Sequence, residues 1–192
     1  MEPNIIGRGT STMTLNQKDA ELFYSLWFPM LDFVNRKYRV VPKIKHIPED
    51  IPLNLGEVKK VADYVWEHID VIDEFLAENE LPDEYRRIVS GWKRCFTGRF
   101  MLERHLKKGS VFISIDTEEV YMVSGIISSW AEILEDRPLP ILLRATLIPF
   151  KDTIITDGLV TPFDVCFGRN YSTAFKEIYR NAKQNKTIHF SL

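Results

Sequence analysis

At Arg99 the spacing of apolar residues changes from a helical period to an alternating one. A period of about 3.6 aligns one face of a helix and a period of about 2 aligns one face of a strand, so the switch separates a helical first half from a β-rich second half. Before it, Leu22, Phe23, Leu26, Trp27, Met30 and Val34 trace one stripe; Val58, Val61, Ala62, Val65, Ile69, Ile72 and Leu76 trace another. Thr14 with Gln17 fits a capping box for the first helix, and Pro29 is expected to kink it. Residues 36–52, with prolines at 42, 48 and 52, read as a linker. The second stripe predicts a single helix from Asn54 through Leu76. Pro82 suits the first turn of a third helix, which buries Tyr85, Ile88, Val89 and Trp92 and ends before Gly98.

After the switch, Phe100, Leu102 and Leu106 alternate with Met101, Glu103 and His105. Lys108-Gly109 turns the chain into Val111, Ile113 and Ile115, and Val120–Val123 returns, which makes a β-meander. Ser129 with Glu132 caps a short helix. A long strand follows over Ile141–Phe150, and turns at Lys151-Asp152 and Asp157-Gly158 bracket Thr153–Thr156. A last strand is expected over Phe163–Phe167, then a closing helix over 172–184 with Ala174, Phe175, Ile178, Tyr179 and Ala182 inward. Short antiparallel strands in this number must cover their edges or curl onto themselves. The expectation is an α+β fold: N-terminal helices packed on a small, strongly bent antiparallel β-sheet or partly open barrel, with a C-terminal helix. It divides into a flexible leader (1–13), a helical part (14–97) and a β part with the closing helix (98–192), forming one compact unit.

Charge is segregated along the chain. Between Glu57 and Glu84 ten carboxylates stand against Lys59 and Lys60 alone; between Tyr85 and Lys108 eight basic residues stand against Glu103 alone. The formal net charge of −2 therefore conceals two opposed fields, and surface fields steer partners where a total predicts nothing. The N-terminus carries no apolar run of the signal-peptide kind, and Leu22–Val34 is too short and too interrupted to span a bilayer. Cys95 and Cys166 lie far apart, with no Cys/His cluster for zinc and no disulfide framework. These features predict a cytoplasmic protein with no cofactor, no metal site and no membrane partner.

Three stretches carry a resemblance: GRFMLERHLKKGSVFIS at 98–114, LPILLRATLIPFKDTIITDGLVTPFDVCFG at 139–168, and the closing helix. Over roughly Tyr85 to Gln184 the chain resembles an uncharacterised bacterial family in which a strand ending in a His-Leu-Lys-Lys turn precedes a Pro-Phe-Lys…Asp-Gly-Leu hairpin. The resemblance implies a bacterial, intracellular origin and transfers no activity and no catalytic residue.

No residue set spells out a reaction. His68 with Asp70 and Asp73 lacks the i, i+3 or i+4 spacing of a helical metal pair and reads as a solvated acidic face. Glu103 and His105 share a strand face, an arrangement that suits acid/base work but has no nucleophile beside it. Cys95, beside Lys93 and Arg94, is the one thiolate candidate, with His105 as its base. Gly7-Arg8-Gly9-Thr10 is not a phosphate loop, and Gly-x-Ser-x-Gly is absent.

The basic block is the stronger functional feature. Arg99, Arg104, Lys107 and Lys108 lie on or beside the first hairpin, Lys151 opens another, and Phe96, Phe100, Phe112 and Tyr121 interleave with them. Charge that follows a backbone and rings that stack bases are what single-stranded nucleic-acid binding requires. The sequence pI of 6.1 weighs the other way, towards a non-catalytic module whose bipolar surface docks an unknown protein partner or pairs two copies head to tail. An internal reading, in which the acidic helix neutralises the basic segment through ion pairs, and a small enzyme built on His105 with Glu103 or Cys95, complete the alternatives.

Overall fold

The computed structural model describes residues 13–47, 54–165 and 167–192. Of the expected leader only Met13 falls within them; Pro48, Pro52 and Cys166 lie outside. Helix α1 (Gln17–Tyr38) begins at Asn16, whose side chain accepts the Asp19 amide at 3.0 Å. The cap is thus Asn16 and not Thr14, because Thr14 is engaged in a bridge with Gly125. The helix continues through Pro29, so the expected linker begins only at Arg39, where a left-handed residue ends it.

The second apolar stripe forms two helices and not one, α2 (Leu55–Glu67) and α3 (Val71–Glu78). The break is at His68. Its ring stacks on Tyr64 with centroids 4.1 Å apart, and its Nδ1 lies 3.0 Å from the Tyr64 carbonyl that its own amide already engages. The side chain competes with the helical ladder, and His68 leaves helical geometry. Helix α4 (Asp83–Gly91) follows Pro82 and runs into a 3₁₀ turn, Trp92–Arg94.

Among the described residues six strands follow: β1 (Phe96–Leu106), β2 (Gly109–Ser114), β3 (Val120–Val123), β4 (Ile141–Phe150), β5 (Thr153–Thr156) and β6 (Thr161–Pro162). Strand β6 replaces the strand expected over Phe163–Phe167; Leu143 and Arg144 on β4 take Pro162 and Thr161 as partners. Helix α5 (Trp130–Ile133) carries the full Ser129–Glu132 capping box, and α6 (Arg169–Asn185) closes the chain. Hydrogen bonding runs β1–β2–β3–β5–β4 and back to β1, an uneven ring with β6 outside it. The sheet is mixed because β3 and β5 meet in parallel, at the single pair Val123–Ile154. The tail occupies the rest of that weak seam: His189 donates to Val120 at 2.8 Å and accepts from Met122 at 2.9 Å.

Three apolar clusters fill this frame. Phe100, Phe112, Tyr121, Leu143, Leu147 and Ile154 fill the ring, and Trp130 and Leu134 close one end. Helices α1 to α4 pack over Ile148, Phe150 and Ile155 on the outer face of β4 and β5. Helix α6 sets Tyr179 and Ala182 over Met101, Val111, Ile113 and Met122, on the outer face of β1 to β3. Ala174, expected inward, is exposed. Between these two covers, Thr97, Arg99 and Arg144 on the outer face of β1 and β4 stay exposed.

Candidate functional site

Alternation along β1 and β4 turns Thr97, Arg99, Arg144 and Thr146 to that outer face, where the first three are exposed and Thr146 is buried. Register places Arg99 directly opposite Arg144, and Thr97 opposite Thr146 with hydroxyls 2.8 Å apart. Directly opposed like charges on a sheet are destabilising unless something neutralises them. Arg99 reaches Asp116 at 2.9 Å. Arg144 is exposed and has no hydrogen-bond or ion-pair partner among the described residues. On its other side Arg144 faces Thr161 of β6. Phe163, whose amide donates to the Leu142 carbonyl, continues this edge and leaves 37% of its surface in solvent. Two guanidiniums, the exposed hydroxyl residues Thr97 and Thr161 and one partly exposed ring thus share one sheet face.

The five basic residues singled out from the sequence do not form one cluster. Arg99 is part of this face. Arg104 is held by the buried Glu103 carboxylate, and its guanidinium lies 4.4 Å from the Tyr179 ring of α6. Lys107 and Lys108 lie at the β1–β2 turn, roughly 26 Å from Arg99 at about 3.3 Å per residue. Lys151, at the β4–β5 turn, pairs with Asp19 of α1. Arg144 and Phe163 stand out only from strand pairing, since each is far from the basic block in sequence. Of the interleaved aromatics, Phe100, Phe112 and Tyr121 are ring filling, and Phe96 packs beside them. Among the described residues one ion pair, Lys93–Asp73, joins the acidic block to the basic one.

The residues of the catalytic alternatives stand apart from one another. Glu103 is the extra residue of a β-bulge between Leu102 and Arg104, so it pairs with Arg104 and not with His105. His105 instead meets Ser110 across the hairpin, Nδ1 to Oγ 2.8 Å. Cys95 is half-buried, and burial together with the Asp157 carboxylate pushes its thiol up to about 11. That outweighs its basic neighbours and leaves it protonated at neutral pH. His105 lies roughly 30 Å further along the strand. Asp157 is itself buried, accepting Trp66 Nε1 at 2.8 Å and the Leu159 amide at 2.9 Å, which ties α2 to the turn after β5. Burial raises its pKa, against those two hydrogen bonds. No group of three or more potential metal ligands occurs among the described residues.

His105 gives a pH signature. Burial lowers its pKa below the ordinary 6.5, so the unfolded chain binds the proton more readily than the fold. Its contribution to stability is present above about 6.5 and is lost as pH falls through the folded value. Between pH 7.5 and 5.5 the urea midpoint of the native protein is expected to fall more than that of His105→Gln. Equal falls would assign the effect to another group.

Neither protein-family models, curated proteins nor solved structures include a match to this chain. The ring runs β1–β2–β3–β5–β4, with α5 between β3 and β4 in the chain. The outer face of β2 and β3 is covered by α6. No helix among the described residues is long and apolar enough to cross a membrane.

Proposed function

We propose that this protein is a non-catalytic module that binds single-stranded nucleic acid across the outer face of β1, β4 and β6. The observation that carries the reading is the opposed pair Arg99–Arg144 on an exposed part of the sheet, Arg144 without an acceptor among the described residues. A phosphodiester between the two guanidiniums relieves their repulsion and satisfies their forks, and Phe163 offers a ring for a base. A small ring of five strands is also the kind of scaffold on which OB barrels bind oligonucleotides, an analogy of fold and not of site.

The test is fluorescence anisotropy with short single-stranded RNA and DNA at about 50 and 200 mM salt, the range over which phosphate contacts weaken. Arg144→Glu is expected to reduce affinity at least about tenfold, because it turns a cation contact into a repulsion. Lys108→Glu, at the far end of the hairpin, is expected to leave affinity within about twofold. Equal binding by the native protein and Arg144→Glu would remove this face from the reading.

A protein partner is the second reading. It is favoured by the exposed apolar side chains Ile133, Leu139 and Val165, which come from the same segments that Arg137 and Asp164 join by an ion pair at 2.8 Å. Absence of oligonucleotide binding at both salt concentrations would move this reading to first place.

A further inference from the structure

Strand β1 lies between two neighbours, so Arg99 has a cation on one side and an anion on the other. On the β4 side register sets Arg144 opposite it, and Cβ atoms so paired stand about 5 Å apart. On the β2 side the Ile115 amide donates to the Arg99 carbonyl at 3.0 Å, which fixes the start of the turn into β3 beside Arg99. The next residue is Asp116, whose Oδ1 accepts from Arg99 Nη2 at 2.9 Å. The carboxylate thus draws the guanidinium to the side away from Arg144.

The Asp116 side chain does not build the turn that carries it. Ser114 closes that turn: its Oγ accepts the Thr117 amide at 3.2 Å and its carbonyl accepts the Glu118 amide at 3.0 Å. The Glu119 carboxylate is held by the Thr117 and Tyr121 hydroxyls. The Asp116 carboxylate accepts from Arg99 alone among the described residues. Arg99 and Asp116 are 55% and 57% exposed, so water and salt reach the pair and it contributes little to stability. A carboxylate and a phosphate engage a guanidinium fork in the same way, through parallel N–H bonds to two oxygens. Asp116 therefore stands where one edge of a phosphate on Arg99 would stand.

We propose that Asp116 is a built-in competitor for the phosphate site: it holds Arg99 in the free protein, and a phosphodiester displaces it as the strand binds. This rests on the nucleic-acid reading above and adds what limits its affinity. Binding exchanges one exposed ion pair for another, and the displaced carboxylate remains beside the incoming phosphate as a like charge. Both effects weaken binding, and both disappear with the Asp116 charge.

The experiment titrates one short single-stranded oligonucleotide, RNA or DNA, whichever the native protein binds more tightly, at about 50 and 200 mM salt. It compares the native protein with Asp116→Asn, Glu118→Gln, Arg99→Gln and Arg99→Gln/Asp116→Asn. Asp116→Asn is expected to bind about threefold tighter at the lower salt, the scale of one exposed ion pair, and the gain shrinks at the higher salt. Glu118→Gln removes the same charge from the same turn, where Glu118 makes no hydrogen bond or ion pair with Arg99, and is expected to stay within about 1.5-fold of native. In the Arg99→Gln background, removing the Asp116 charge is expected to change affinity by no more than about 1.5-fold, because the cycle isolates the pair. Native affinity in Asp116→Asn, an equal gain in Glu118→Gln, or a gain that survives Arg99→Gln overturns the competitor and leaves the sheet face standing. Absence of RNA and DNA binding by every form overturns both. Asp116→Asn leaves Arg99 and Arg144 without a counter-ion, so its thermal midpoint is expected to fall by about 1–3 °C while its affinity rises. A carboxylate that served the fold alone would lower the midpoint with no gain in affinity.

Discussion

Phe23→Ala is expected to destabilise the protein by about 3–5 kcal/mol, the usual range for emptying an aromatic site in a close-packed core. Phe23 is fully buried, and its ring lies 6.1 Å from Trp27, 5.8 Å from Trp92 and 5.9 Å from Phe150 by centroid distance. Those partners come from α1, the 3₁₀ turn and β4. One side chain thus joins the helical layer to the sheet. Trp92 has no acceptor for its indole N–H among the described residues, so it depends on ring packing to remain buried. Domains of ordinary stability hold about 5–15 kcal/mol in total, so the loss takes a large share of it. In urea denaturation Phe23→Leu, which keeps most of the volume, should lose far less, about 1.5 kcal/mol. A loss below about 1 kcal/mol for Phe23→Ala would mean that the helices are not held to the sheet through this cluster.

Gly125→Ala is expected to cost about 3 kcal/mol or more, through overpacking against main chain. A Cβ at this position would lie 2.0 Å from the Ser128 carbonyl oxygen and 3.1 Å from the Ser129 Cα. Backbone atoms cannot swing aside as a flexible side chain does. The same residue accepts the Leu15 amide at 3.0 Å and donates to the Met13 carbonyl at 2.8 Å, so any shift also disturbs the segment leading into α1. Gly158 provides the comparison. It has a positive φ of 80° but nothing within 4 Å of an added Cβ, so Gly158→Ala carries only left-handed strain, about 1–2 kcal/mol. Thermal midpoints of the two variants separate the effects: if Gly125→Ala is no less stable than Gly158→Ala, close approach is not the reason for a glycine at 125.

Locally coded elements were legible because their signals act within a few residues. The Ser129–Glu132 capping box, the strand Ile141–Phe150 and the turns that bracket Thr153–Thr156 stand where alternation and turn chemistry place them. Local signals failed where two of them competed. Asn16 displaced Thr14 as a cap, and the His68 ring ended a stripe whose apolar spacing alone continues through Leu76.

The candidate site was half visible. Arg99 belongs to a basic run that any reading of charge finds. Arg144, a lone cation in an apolar strand, acquires meaning only because β1 and β4 pair with Arg99 opposite it. The reverse holds for Arg104 and Lys151. Charge marks both, yet Glu103, the Tyr179 ring and Asp19 occupy them in the fold. By itself the sequence determined the element types, the apolar faces and the two opposed charge blocks, since these follow from spacing and composition. Only the tertiary structure decided which strands meet, and therefore which cations are consumed by neighbours and which face an open surface, because pairing register and ion-pair geometry depend on residues far apart in the chain.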